Sequence, residues 1–151
     1  MTRFEPRDPD WDRKVRESFA RQTVMETIGA SIAALQPGQC EIQLPYRRDL
    51  CQQHGYLHAG ITTTVADSAA GYAAFSLMPP GASVLTVEFK VNLMAPASGE
   101  RFFALSRVIK PGRTLLVVEA EVFAEEKGDR KPIAHMLATM MCLMNTNDTP
   151  A

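Results

Sequence analysis

A chain of 151 residues with 46% hydrophobic content is about one domain long and carries ample apolar volume for a single core. Its formal net charge is −1 with the basic residues scattered, which speaks against nucleic acid or an anionic membrane surface as a partner. The N-terminus MTRFEPRDPDWDRKV has no apolar leader and no stretch reaches the roughly 18 apolar residues of a membrane span. Cys40, Cys51 and Cys142 suit neither a disulfide framework nor a zinc knuckle. The expectation is a cytoplasmic protein with reduced thiols and no bound metal.

Trp11, Val15 and Phe19 recur at helical spacing in the charged segment 10–20, and 22–28 adds a shorter helical turn that Gly29 stops. These make an N-terminal helical segment, 1–28, ahead of a domain over 29–147. Segments 31–35 and 40–44 flank the turn dipeptide Pro37-Gly38 and read as a first hairpin. After the irregular stretch 45–53, the run HAGITTTVADSAAGYAAFSLM reads as a long apolar helix of about five turns, ended by Pro79-Pro80-Gly81. From Thr86 to Leu93 the apolar positions fall on every second residue, the mark of a half-buried strand. Segments 100–109, 114–123 and 131–144 are three more strands, and 145–151 reads as a fraying end, with 148–151 a tail. One helix apolar nearly all round, set among consecutive antiparallel strands, needs a sheet curled about it, an α+β architecture.

Between Asp49 and Glu88 the single formal charge is Asp67, inside the apolar helix. Removing a carboxylate from water costs several kcal/mol, roughly, unless it is paired, protonated or used. No Lys or Arg lies near it in sequence. It reads either as a working group or as an internal staple bonded to Ser or Thr hydroxyls.

The string Gln52-Gln53-His54-Gly55-Tyr56-Leu57-His58-Ala59-Gly60, followed by Asp67-Ser68-Ala69, Thr86 and Met94-Ala95-Pro96-Ala97, resembles the hot-dog-fold acyl-CoA thioesterases of the phenylacetyl-CoA thioesterase (PaaI) type. The resemblance runs over about residues 29–145. In that family an Asn precedes a His-Gly-Gly by six residues, and an Asp follows the His by nine, on a central helix wrapped by the sheet. His58 and Asp67 keep the spacing, while Gln52 stands in the Asn position and Ala59 in that of the first Gly. The resemblance implies hydrolysis of an acyl-CoA thioester to free acid and CoA. It also implies a homodimer or dimer of dimers with shared sites, Gln52, His58 and Ala59 of one chain facing Asp67 and Thr86 of the other. Coenzyme A is then part of the substrate, and no separate cofactor is implied.

Such a reaction needs a group that attacks or activates water and donors for the oxyanion. The helix start at His58-Ala59-Gly60 offers backbone N–H groups and the positive end of the helix dipole, though the same residues also serve as a plain tight turn. Asp67 is the base or nucleophile. It lies about 13.5 Å further along the helix axis at 1.5 Å per residue, so one chain cannot bring both to one carbonyl. Thr86, whose family position orients the lytic water, and Gln52, which can hydrogen-bond the thioester, read equally as an ordinary strand Thr and a solvated loop Gln. His54 and His58 have an i, i+4 spacing that metal sites use, but Gly55 interrupts a helix there and no third ligand is near. Cys51 reads as a free thiol. Arg107, Lys110 and Arg113 around a β turn can meet the phosphates of CoA or simply face solvent. Met136, Met140, Met141 and Met144, with Phe75, Leu77 and Met78, line an acyl channel or fill the core. Two other functions stay open: a hot-dog hydratase or dehydratase, whose His-aromatic-Pro motif this chain lacks, and a non-catalytic module binding acyl-CoA or another hydrophobic ligand.

Overall fold

In the computed structural model, which describes residues 4–150, ten elements follow one another closely along the chain. Two helices, α1 (Trp11–Arg21) and α2 (Thr23–Ile28), precede the hairpin β1 (Ser31–Gln36) and β2 (Gln39–Pro45). A 3₁₀ turn at Arg48–Leu50 leads to α3 (Ala59–Phe75), and four strands complete the chain: β3 (Ala82–Leu93), β4 (Arg101–Pro111), β5 (Leu115–Glu126) and β6 (Asp129–Met144). Gly29 stops α2 with a φ of 75°, a left-handed position where glycine has no Cβ penalty. The expected helix thus starts at its predicted cap and closes somewhat short of Pro79.

All strand pairs are antiparallel and lie in the order β1-β2-β4-β5-β6-β3. The chain leaves β2, crosses the sheet face as α3, and re-enters at the far edge as β3. Val65, Ala66, Ala69, Ala70, Ala73 and Phe75 of α3 are each fully buried, against Ile42, Phe102, Leu116, Val118 and Met136 of the sheet. Small residues let the sheet close in around the helix, as the resemblance implies. Phe75, Leu77, Met78, Met136 and Met140 belong to this core. No helix among the described residues is long and apolar enough to cross a membrane.

Helix α1 docks on the C-terminal end of α3. Lys14 Nζ donates to Met78 O at 2.8 Å, pairs with Asp8 Oδ2 at 3.1 Å, and sits 4.7 Å from the Phe75 ring centre. The Met78 carbonyl belongs to the turn just past α3, so Lys14 ties α1 to the segment that ends that helix. The far end of the chain is tied down rather than frayed: Ser83 and Thr146 hydroxyls meet at 2.6 Å, and Arg21 pairs with Asp148 at 2.7 Å. Of the segment 1–28 and the tail 148–151, residues 1–3 and 151 lie outside the described residues.

Strand β3 departs from the strict alternation of its sequence. Its register with β6 shifts between Thr86 and Glu88, leaving Val87 as an extra residue. Thr86 pairs with Met140, Phe89 with Ala138, Val91 with Met136 and Leu93 with Ala134, and those four β6 residues are buried beneath α3. Directly paired residues share a face, so the bulge moves Thr86 onto the helix side with Phe89, Val91 and Leu93. The strand is nonetheless not half-buried within one chain. Phe89 is 43% exposed and Leu93 58%, on a strand that forms an edge of the sheet.

Candidate active site

The loop before α3 is held in place chiefly by its own backbone. Gln52 N–H donates to Tyr56 O at 2.9 Å, His58 N–H to Leu50 O at 3.0 Å, and Leu57 N–H to Ala97 O at 3.0 Å. His58 is the N-cap, and its Nδ1 accepts the Gly60 N–H at 2.8 Å. That nitrogen is thereby committed to the cap, through which His58 holds the turn. A Cβ on Gly60 would press within 3.0 Å of the same imidazole, so the glycine keeps room for the capping ring. Of the two N–H groups expected to hold an oxyanion, Gly60 is occupied. The Ala59 N–H, first in the helix, has no hydrogen-bond partner among the described residues.

A hollow of about 450 Å³ opens beside this helix start, lined by Gln52, Ala59, Thr62, Leu93, Met94 and Ile133 among others. Gln52 is half-buried there, and its Oε1 accepts the His54 backbone N–H. With the oxygen taken, the amide of Gln52 keeps its N–H donors for a ligand. The apolar walls come from Leu93, the last residue of β3, and from Met94, the first of the Met94-Ala95-Pro96-Ala97 motif that follows it.

Asp67 lies in a second hollow, of about 240 Å³, lined also by Thr86, Gln22, Ser68, Gly71 and Tyr72. The two hollows share no lining residue. Thr86 Oγ1 donates to Asp67 Oδ1 at 2.8 Å, a contact made possible by the bulge. Burial pushes the Asp67 carboxyl above its ordinary range, and the Thr86 hydrogen bond works against that rise. No ion pair reaches Asp67 among the described residues. The staple reading and the working reading therefore meet: one carboxylate oxygen is held by Thr86, and the other is free of protein donors among the described residues.

Gly60, Thr64, Asp67 and Gly71 follow one another at spacings of four, three and four, and form the stripe of α3 that the sheet leaves incompletely covered. A Cβ built on Gly71 would meet open space. Asp67 thus lies on a side of its helix that the described residues leave partly open.

The basic trio is not gathered at either hollow. Arg107 projects from β4 and pairs with Glu119 on β5, which also meets His135 Nε2 at 3.3 Å. Burial acts to raise the Glu119 carboxyl, but Arg107 and His135 outweigh it and hold it below its ordinary range. Lys110 and Arg113 stand exposed at the β4–β5 turn without an ion pair among the described residues. The turn itself needs Gly112, where a Cβ would fall 2.0 Å from Leu115 O. Cys51 is a half-buried thiol donating to Arg47 O at 3.3 Å.

Residues 54–130 match the profile of the thioesterase superfamily, a span that takes in His58, Ala59, Gly60, Asp67 and Thr86. A crystal structure of a thioesterase family protein from Silicibacter pomeroyi is 58% identical, covers 89% of this chain and 98% of that one, and superposes with a TM-score of 0.88. A 1,4-dihydroxy-2-naphthoyl-CoA hydrolase from Listeria monocytogenes is 28% identical over 102 residues, 68% of this chain and 83% of that one. The PaaI protein from the phenylacetic acid degradation operon of E. coli shares the fold, with a TM-score of 0.81 over 91% of this chain and 96% of its own, at 15% identity.

Proposed function

This chain belongs to the thioesterase superfamily, and on that footing we propose that it hydrolyses an acyl-CoA thioester at sites shared between two copies of itself. The observation that carries the proposal is the separation of the two half-sites. Each chain holds an open oxyanion donor, Ala59 N–H, beside Gln52 in one hollow. It holds an unpaired carboxylate, Asp67, beside Thr86 in another that shares no residue with the first. Neither alone performs acyl transfer chemistry. A second copy laid antiparallel along the open stripe of α3 brings the Asp67 of each chain to the helix start of the other.

The same arrangement gives β3 a role. Its exposed Phe89 and Leu93, and an unpaired backbone edge, are surfaces that a soluble chain seldom leaves bare. A second copy on the helix side covers both.

In the proposed reaction the thioester carbonyl lies against Ala59 N–H at the positive end of α3, with the Gln52 amide as a further donor. Asp67 either takes a proton from water as that water attacks the carbonyl carbon, or attacks that carbon itself. The tetrahedral carbon then expels the CoA thiolate, which is protonated on leaving. With Asp67 as nucleophile, water hydrolyses the resulting mixed anhydride. Thr86 holds one carboxylate oxygen and so aims the other. A raised carboxyl keeps the anion basic enough to accept a proton, whereas an Arg partner would weaken it. Arg107 is turned to Glu119, so of the three it is Lys110 and Arg113, without an ion pair among the described residues, that can meet CoA phosphates.

Release of free thiol from a panel of short, long and aromatic acyl-CoAs, followed against pH, tests this reading. Parent protein is expected to release CoA, with kcat/KM falling on the acid side as Asp67 protonates. Thr86→Val removes the hydrogen bond that holds that carboxyl down, so the acid limb moves to higher pH. An unmoved limb would mean that Asp67 is not the group titrating. Loss of crotonyl-CoA absorbance without thiol release would identify a hydratase, and tight acyl-CoA binding without turnover a binding module.

A further inference from the structure

Beyond Asp67 and Thr86, the smaller hollow has a wall that the proposed reaction leaves unused. Gln22 occupies the break between α1 and α2, with a φ of −79° and a ψ of 91°. Its N–H donates to Phe19 O and its carbonyl accepts from Met25 N–H, both at 3.0 Å, so the backbone is held on both sides. The side chain reaches α3, where Ser68, the residue after Asp67, donates Oγ to Gln22 Oε1 at 3.0 Å. An amide whose oxygen is engaged in this way keeps two N–H donors. Neither has a partner among the described residues, and Gln22 lines the same hollow as Asp67.

Next to it, Ser18 Oγ and the Tyr72 hydroxyl share one hydrogen bond, at 3.3 Å, which leaves one of their two hydroxyl protons unspent. Tyr72 is 5% exposed and its ring packs edge-on against Phe19 at 5.8 Å, so its hydroxyl has a fixed position at the hollow wall. A staple between the N-terminal helices and α3 needs only the Gln22 oxygen. The surplus donors gain nothing from an apolar chain and would lose their water to it.

We propose that Gln22 is a specificity-determining residue: together with the Ser18–Tyr72 pair, it donates to an acceptor oxygen on the substrate arm that enters the Asp67 hollow. The inference rests on the thioesterase reading above. That oxygen belongs either to the acyl group, as a hydroxyl or oxo substituent, or to an amide of the pantetheine arm of CoA. The recognition chemistry is the same. A site built around such donors discriminates against the analogue that lacks the oxygen.

Thiol release by the full chain, in parent, Gln22→Met and Gln22→Glu forms, separates the possibilities with two matched pairs. One pair is 3-hydroxybutyryl-CoA and butyryl-CoA. The other is the butyryl thioester of N-acetylcysteamine and that of propanethiol. In one pair at least, both variants are expected to lower the kcat/KM ratio of the oxygen-bearing member to its partner about 2- to 10-fold relative to the parent. Gln22→Glu keeps an acceptor for Ser68, so the staple survives while the donors are lost. A residue that only holds helices together would depress both members equally, and ratios unchanged in both pairs would overturn the proposal. If the parent released thiol from no member of either pair and from none of the wider acyl-CoA panel, the thioesterase reading would fall and the proposal with it; if Asp67→Asn matched an active parent, the role of Asp67 would fall, and the assignment of its hollow to the substrate with it, while thioester hydrolysis stood.

Discussion

Asp67→Asn is expected to lower thioester hydrolysis about 10²- to 10⁴-fold, the range for removing a positioned base, and to do so in a protein that melts no lower than its parent at neutral pH. The two halves of this outcome have one cause. Burial pushes the Asp67 carboxyl upward and Thr86 only partly offsets it. A group whose folded-state pKa is raised favours the folded state fully below its unfolded pKa, and that contribution is lost as pH rises through the folded value. At neutral pH the charged carboxylate is therefore the less comfortable occupant of its place. Asparagine keeps the size and an oxygen for Thr86 while removing the charge. The stability difference between variant and parent is expected to narrow as pH falls. A simple structural staple would give the opposite pattern, lower stability with little change in rate. Thermal melts across pH, run beside thiol release, distinguish them.

Ala59→Pro is the second large effect, expected at about 10²- to 10³-fold in kcat, the loss found when one oxyanion donor is removed. Proline has no N–H, and the first position of a helix is where it is best tolerated, because that donor has no helical partner in any case. His58 already has the extended backbone, φ −61° and ψ 136°, that a residue before proline adopts. The substitution thus deletes a candidate oxyanion donor and leaves α3 free to form. Gly60→Ala is a poorer probe, since its N–H is spent on His58 Nδ1 and a new Cβ would press on that ring. Circular dichroism and a melting curve matching the parent, alongside the loss of turnover, are the expected result; full turnover would remove Ala59 from the site.

Much of this architecture was legible in the sequence, and the parts that were not have a common reason. Helix α3 announces itself by length, by an Ala- and Thr-rich apolar run and by the proline break after it, and the single charge at Asp67 points to itself energetically. The bulge at Val87 is invisible in a strand that alternates perfectly, because a bulge is a property of pairing with β6 and not of β3. Yet it is what turns Thr86 toward Asp67. Arg107 looked like a candidate phosphate ligand until its cross-strand neighbour Glu119 was placed, which only the β4–β5 register reveals. Gly60 reads from sequence as a second oxyanion donor, because nothing in the string shows that the His58 ring turns to accept its N–H. Gln22 was read only as part of a short helical turn, and its approach to Ser68 depends on how α1 and α2 dock. Local periodicity shows in one segment; register and docking require two, and a cap depends on which way one side chain turns.

The shared-site geometry itself is tested most directly by combining the two crippled chains. Asp67→Asn and Ala59→Pro subunits carrying different tags are coexpressed, and the mixed dimer is purified through both. If Asp67 of each copy serves the helix start of the other, the mixed dimer contains one doubly damaged site and one with both Asp67 and Ala59 intact. It is then expected to recover about half of the parent's activity per dimer, far above either variant alone. A mixed dimer no more active than the two single variants would contradict the account.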